Sequence, residues 1–280
     1  MQDDHCQKLV READKDRFLA ALFAPAERRA ALFALYAFNV EIARVREVAR
    51  EPMPGEIRLQ WWRDVLGGER AGEAKAHPVA SALLGTIERH GLAREPLLAL
   101  IEARSFDLYD EPMAGLGELE GYARKTNSAL IECAARILGN AQNSIADLAG
   151  HAGIAHATAG LLLAFPLHAS RRQLFVPLET LTRYGAKPED IFVGKATVEL
   201  RSALAELRLR ARRHLAAAGE LIAAAPDIVL PALLPLALVR PMLDFMERSA
   251  YDPFKPDELP QWRRQWLMWR ASKWRRRIAG

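Results

Sequence analysis

Pro25-Ala-Glu-Arg-Arg-Ala-Ala-Leu-Phe-Ala-Leu-Tyr-Ala-Phe-Asn-Val-Glu-Ile-Ala43 opens the longest periodic segment of the chain. Proline at a helix start loses nothing, because the first helical N–H groups have no intrahelical partner. Leu, Ala and Phe then recur with helical spacing, and the pattern predicts one helix from Ala26 to about Glu51, ended by Pro52 and Pro54. Working outward, similar patterns predict a second helix that holds Leu59, Trp61, Trp62, Val65 and Leu66 and runs to Gly67-Gly68, and further helices at 77–90, 95–109, 118–138, 144–167, 196–225, 227–248 and 260–278. The segment 169–194 is predicted to be a long crossing loop carrying a short helix from Leu178 to Tyr184.

The 280 residues are 50% hydrophobic, enough for a sizeable core, and no alternating strand pattern persists. The expectation is an all-α, single-domain bundle over 1–280, without repeats or linkers. Cys6 and Cys133 belong to no metal-ligand spacing and read as ordinary thiols in a reducing compartment. The N-terminal residues carry acids before any base and no apolar core, unlike a secretory signal. Apolar stretches at 152–167 and 228–239 are short of the roughly 20 residues a membrane span needs and read as core. A cytoplasmic location follows, with peripheral attachment to the inner face of the membrane as an option.

Three blocks carry a resemblance. Asp16 to Phe38 ends in Leu35-Tyr-Ala-Phe38; Glu118-Leu-Glu-Gly-Tyr122 precedes Thr126-Asn-Ser128; and Arg172-Gln-Leu-Phe-Val-Pro177 precedes a short helix ending at Gly185. In order and spacing they resemble the squalene/phytoene synthases, whose active members read Val-Ala-Gly at the second turn and Gly-Arg-Ile-Tyr-Leu-Pro in the third block. The resemblance implies an isoprenoid-synthase bundle. In active members it also implies two aspartate motifs that hold Mg2+ against a prenyl diphosphate. Hard cations need carboxylate oxygens for that work.

Counting from Ala37-Phe38, the first motif's acids should fall at Ala43, Arg44 and Glu47; counting back from Val176-Pro177, the second motif's should fall at Ala164 and His168. Only Glu47 is acidic, and Pro166 should break the second helix. The segments Asn39-Val-Glu-Ile-Ala43 and Leu59-Gln-Trp-Trp-Arg63 are similar to a branch that includes assembly factors of respiratory NADH:ubiquinone oxidoreductase (complex I). This implies a pseudoenzyme with no cofactor, partnered with a membrane complex. Two alternatives stay open. One is a head-to-head transferase acting on farnesyl or geranylgeranyl diphosphate with Mg2+ on Glu47, Asp107 and Asp110, the last two sharing a helix face at i, i+3; Glu41 and Glu47 are on opposite sides of theirs. The other is a carrier of a prenyl or quinone-like lipid.

His168, Arg171 and Arg172, with Arg44 and Arg46 opposite and Tyr36 as a further candidate ligand-binding residue, offer a metal-free site for a prenyl diphosphate or an acidic lipid head, the alternative being arginines that are simply solvated. At the C-terminus, Trp262, Trp266 and Trp269 form a stripe, and residues 261–280 hold seven basic residues and no acid. The stripe either meets an anionic membrane surface together with Arg275, or packs on the bundle while Arg275 to Arg277 fray. No nucleic-acid module, nucleophile elbow, Walker loop, dinucleotide fingerprint or HExxH motif occurs.

Overall fold

A computed structural model describes residues 2–49, 51–139, 145–255 and 259–279. Helices account for the regular structure, and no strand occurs among the described residues. The chain gathers into two compact units, passing between them repeatedly. The first comprises Met1–Tyr109, Ala129–Ala146 and Ala224–Pro235; the second comprises Asp110–Ser128, Asp147–Ala223 and Leu236–Gly280.

The first unit is built around the helix Ala26–Ala43. Every residue from Ala31 to Val40 is buried, so this helix is covered on all sides. Gln2–Ala13, Pro78–His90 and Ala129–Leu138 pack against it. Aromatic contacts tie the layers together: Phe18 stacks on Phe33 at 5.6 Å, and Phe38 meets Trp62 edge-on at 5.0 Å. The helix stops at Arg44, resumes as Val45–Val48, and gives way to an extended Glu51 before Pro52. One helix to Glu51 was therefore too long a reading. The Arg46 guanidinium donates to the Leu108 carbonyl at 2.5 Å, a tertiary contact at the break.

The second unit is organised on Val198–Ile222, whose first turn is capped when the Thr197 hydroxyl accepts from the Leu200 N–H at 3.2 Å. The crossing loop is ordered by backbone bonds: Met113 N–H donates to Leu174, and the N–H groups of Leu178 and Glu179 donate to Met113 and Ala114. Leu178–Tyr184 is helical, as read from sequence.

Several predicted helices are interrupted. Leu116–Ala123 passes into a π-helical turn, Arg124–Ser128, before Ala129–Leu138 continues. Ala146–Leu163 breaks at Ala164 and restarts as Phe165–Ser170 with Pro166 in its first turn, as expected; the predicted start at Ser144 lies outside the described residues. Four short or polar helices were not anticipated: Gln2–Ala13, Lys15–Ala21, Ala71–Ala76 and Pro188–Phe192. The first presents little more than Cys6 and Val10 to the core, too weak an apolar signal to read alone. Asp227–Met246 is long and apolar enough to cross a membrane, but it is a chain of short helical pieces around Pro231 and Pro235 and most of it is buried, which makes it core.

Candidate functional site

The residues at the first motif position sit where the central helix ends. Ala43 is its last residue and Arg44 the break, with φ −94° and ψ 6°. The Arg44 guanidinium donates to Glu47 at 2.9 Å on the surface. Arg44 and Arg46 thus both have partners within their own unit.

Asp107 is buried and paired with Arg104 at 3.0 Å. It lies in a 3-10 turn, Phe106–Leu108, and Tyr109 is extended, at φ −108° and ψ 158°. Asp107 and Asp110 therefore do not share a helix face, which corrects the i, i+3 expectation: the helix has already ended. No group of three or more His, Cys, Asp or Glu side chains among the described residues is placed to hold a metal ion.

Tyr36 is a core residue. Burial raises its hydroxyl far above the ordinary tyrosine value, with the Arg17 guanidinium, 5.9 Å above the ring, opposing and Asp14 reinforcing.

At the second motif position, Ala164 forms the helix break and His168 packs on the Phe175 ring at 4.5 Å. Between Leu119, Thr158, Phe165, His168, Gln173 and Phe175 remains a slot of only about 10 Å³, room for about one water. Arg172 turns elsewhere, its guanidinium 4.4 Å above the Phe192 ring. His168 and Arg172 thus face different aromatic partners.

Other polar side chains of the second unit do converge, and the sequence reading missed them. Arg210 donates to Glu120 at 2.5 Å; His214 contacts the same carboxylate through Nε2 at 3.4 Å; and its Nδ1 shares a hydrogen bond with His151 Nδ1 at 2.9 Å. Burial pushes the Glu120 carboxyl up, but the Arg210 hydrogen bond and charge, with His214 assisting, outweigh it and hold the group below the usual range. For His214 burial is also the largest influence; it lowers the imidazole, His151 and Arg124 add to it, and Glu120 opposes. Next to this cluster lies the π turn. Asn127 Oδ1 and His156 Nδ1 are 3.1 Å apart, and the Ser128 hydroxyl donates to the Gly150 carbonyl at 3.2 Å. Only chain separation hid these pairs, because no local spacing joins Glu120, His151 and His214.

A helical bundle with this loop and helix order defines a class. The squalene/phytoene synthase profile matches residues 10–270, and the chain belongs to that family. Within it, the chain is 31% identical to human NADH dehydrogenase (ubiquinone) complex I, assembly factor 6, over 91% of this chain and 76% of that protein. It is 26% identical to phytoene synthase of Arthrospira platensis, over 92% and 88% of the two chains. The fold matches a dehydrosqualene synthase crystal structure with a TM-score of 0.86 at 15% identity, over 98% of this chain and 96% of that one. Squalene synthase from Alicyclobacillus acidocaldarius matches at 0.79 and 24% identity, over 90% and 95%.

Proposed function

We propose that this chain is a non-catalytic member of its family that acts by binding, as a factor for assembly of a complex I-type NADH:ubiquinone oxidoreductase at the membrane. The observation that carries this reading is the donor set at the family's two metal positions. Ala43 and Ala164 offer no ligand atom, Arg44 repels a cation and neutralises Glu47, and His168 lies against Phe175. These residues do not fit a magnesium cluster. Similarity to human complex I assembly factor 6 supports the same reading from a different direction.

The transferase alternative needs Glu47, Asp107 and Asp110 as ligands, and two of these are held by Arg44 and Arg104. The lipid-carrier alternative would be favoured by a polyisoprenoid copurifying with the protein.

The test is disruption of the gene in its own cell. Assembled NADH:ubiquinone oxidoreductase on native gels should fall several-fold and return with the wild-type chain and equally with Glu47→Gln. Purified protein incubated with farnesyl or geranylgeranyl diphosphate and Mg2+ should yield no C30 or C40 hydrocarbon. A hydrocarbon product that Glu47→Gln abolishes, or normal complex levels after disruption, would overturn the proposal.

A further inference from the structure

The helix Gln261–Lys273 packs through Met268 and Ala271, both fully buried, with Leu267 beside them. On the opposite side stand Trp262, Trp266 and Trp269, exposed by 68%, 47% and 48%, followed by Trp274 at 55%. The packing alternative for this stripe is thereby corrected: the small and flexible residues face the core, and the indoles face out. The fraying alternative is corrected too, because the Arg275 guanidinium donates to the Ala223 carbonyl at 3.3 Å; the Arg276 side chain lies outside the described residues.

The indoles are instead organised among themselves and with cations. Arg270 lies 4.4 Å above the Trp266 ring, and Trp269 meets Trp274 edge-on at 6.5 Å. Lys273 is exposed on the same side of the helix as the stripe, and Arg263 flanks it. At the start of the helix a cavity of about 110 Å³ is lined by Leu163, Met242 and Phe245 together with Arg248, Arg263 and Arg264. An apolar floor with three guanidinium groups suits the junction between an anionic headgroup and its acyl chain.

We propose that this helix docks the protein on an anionic lipid bilayer, lying in the surface plane with its indoles at headgroup depth. Amphipathic indoles partition to that depth, and clustered Arg and Lys add attraction to acidic lipid. Charge selects the occupant. Residues 261–280 carry seven cations and no acid, which complements a uniformly negative surface, opposes a second copy of itself, and is unlike the charge-depleted centre of a protein interface. The proposal stands independently of the assembly role, since it rests on this helix alone.

The experiment is flotation of the full chain with phosphatidylcholine vesicles, with and without phosphatidylglycerol. The protein should float only with phosphatidylglycerol, less so at high salt, and brominated acyl chains should quench its tryptophan emission. Trp266→Ser with Trp269→Ser, and separately Arg270→Glu with Lys273→Glu, should each lower binding at least about tenfold. The unfolding midpoint should hold in both, because none of these four side chains is buried in the core. Failure to float, equal binding to both vesicles, or binding indifferent to the tryptophan pair would overturn the proposal. So would a wild-type dimer in sedimentation that the tryptophan pair dissolves, which would assign the stripe to a protein contact. Complex I levels play no part in the readout, so failure here is separable from failure of the assembly role.

Discussion

Arg172 is the one non-glycine residue with positive φ among those described, at 58°. The chain turns through the left-handed region there, at the position where the resembling segment of active synthases carries glycine, the residue that adopts this region most readily. A side chain in this region costs about 1–2 kcal/mol, and the contact with Phe192 offsets part of it. Arg172→Gly should therefore change stability by less than about 1 kcal/mol, relief of strain balancing the lost contact and glycine's entropy. Arg172→Val, β-branched at positive φ, should destabilise by about 1–3 kcal/mol. Urea titrations of the two variants check the ordering; equal effects would mean the turn is not constrained. At this scale the motif positions were legible by counting: Ala43, Arg44, Ala164 and His168 are what they are without a fold. The pairing of Arg44 with Glu47, at i, i+3, was within local reach as well. The partner of Arg46, a carbonyl sixty-two positions on, was not.

At the scale of elements, the π turn Arg124–Ser128 and the helix Ala146–Leu163 meet with almost no space between backbones. A Cβ built on Gly153 would lie 2.2 Å from Ser128 Oγ, 2.4 Å from its N and 2.6 Å from its Cα. Two of those atoms are backbone and cannot rotate away. Gly153→Ala should thus destabilise by about 1–3 kcal/mol, although alanine is the better helix former by about 1 kcal/mol. Gly160→Ala on the same helix meets nothing within 4 Å and should stabilise by about 0.5–1 kcal/mol. Opposite signs in thermal melts of the two variants are the expected result; a stabilised Gly153→Ala would show that the contact yields. Periodicity revealed the cores of the long helices but not their interruptions. Pro166 announced one break. The break at Arg44 and the π turn have no local breaker, and each coincides with a contact to residues distant in sequence, Leu108 and Gly150.

For the molecule as a whole, stability should depend on two partly buried histidines, His90 and His214. His90 is lowered by burial, with Arg28 and Arg89 adding to it, and His214 is lowered by burial, with His151 and Arg124 adding to it and Glu120 opposing. An imidazole whose folded value is depressed binds fewer protons folded than unfolded, so its contribution is full above about pH 6.5 and is lost as pH falls below it. Glu120, also depressed, acts in the same direction at lower pH. The urea midpoint should fall between neutral pH and about pH 5.5, and His214→Gln should flatten that slope. An unchanged slope would remove His214 from the account.

Residue identity and helical periodicity determined the all-α class and the central helix, and the resemblance of three blocks to a known family located the metal positions at which acids are missing. Those properties are local: they follow from which side chain stands at a position and from the 3.6-residue repeat. Tertiary structure decided that Asp107 is buried against Arg104 and that Glu120, His151 and His214 converge. It also decided that the C-terminal helix buries Met268 and Ala271 and turns its tryptophans outward. Each of these depends on what lies across from a helix, and a stripe of tryptophans reads the same whether its other side or its own meets the core. Burial of neighbouring surface by distant segments settles that orientation, and no local pattern encodes it.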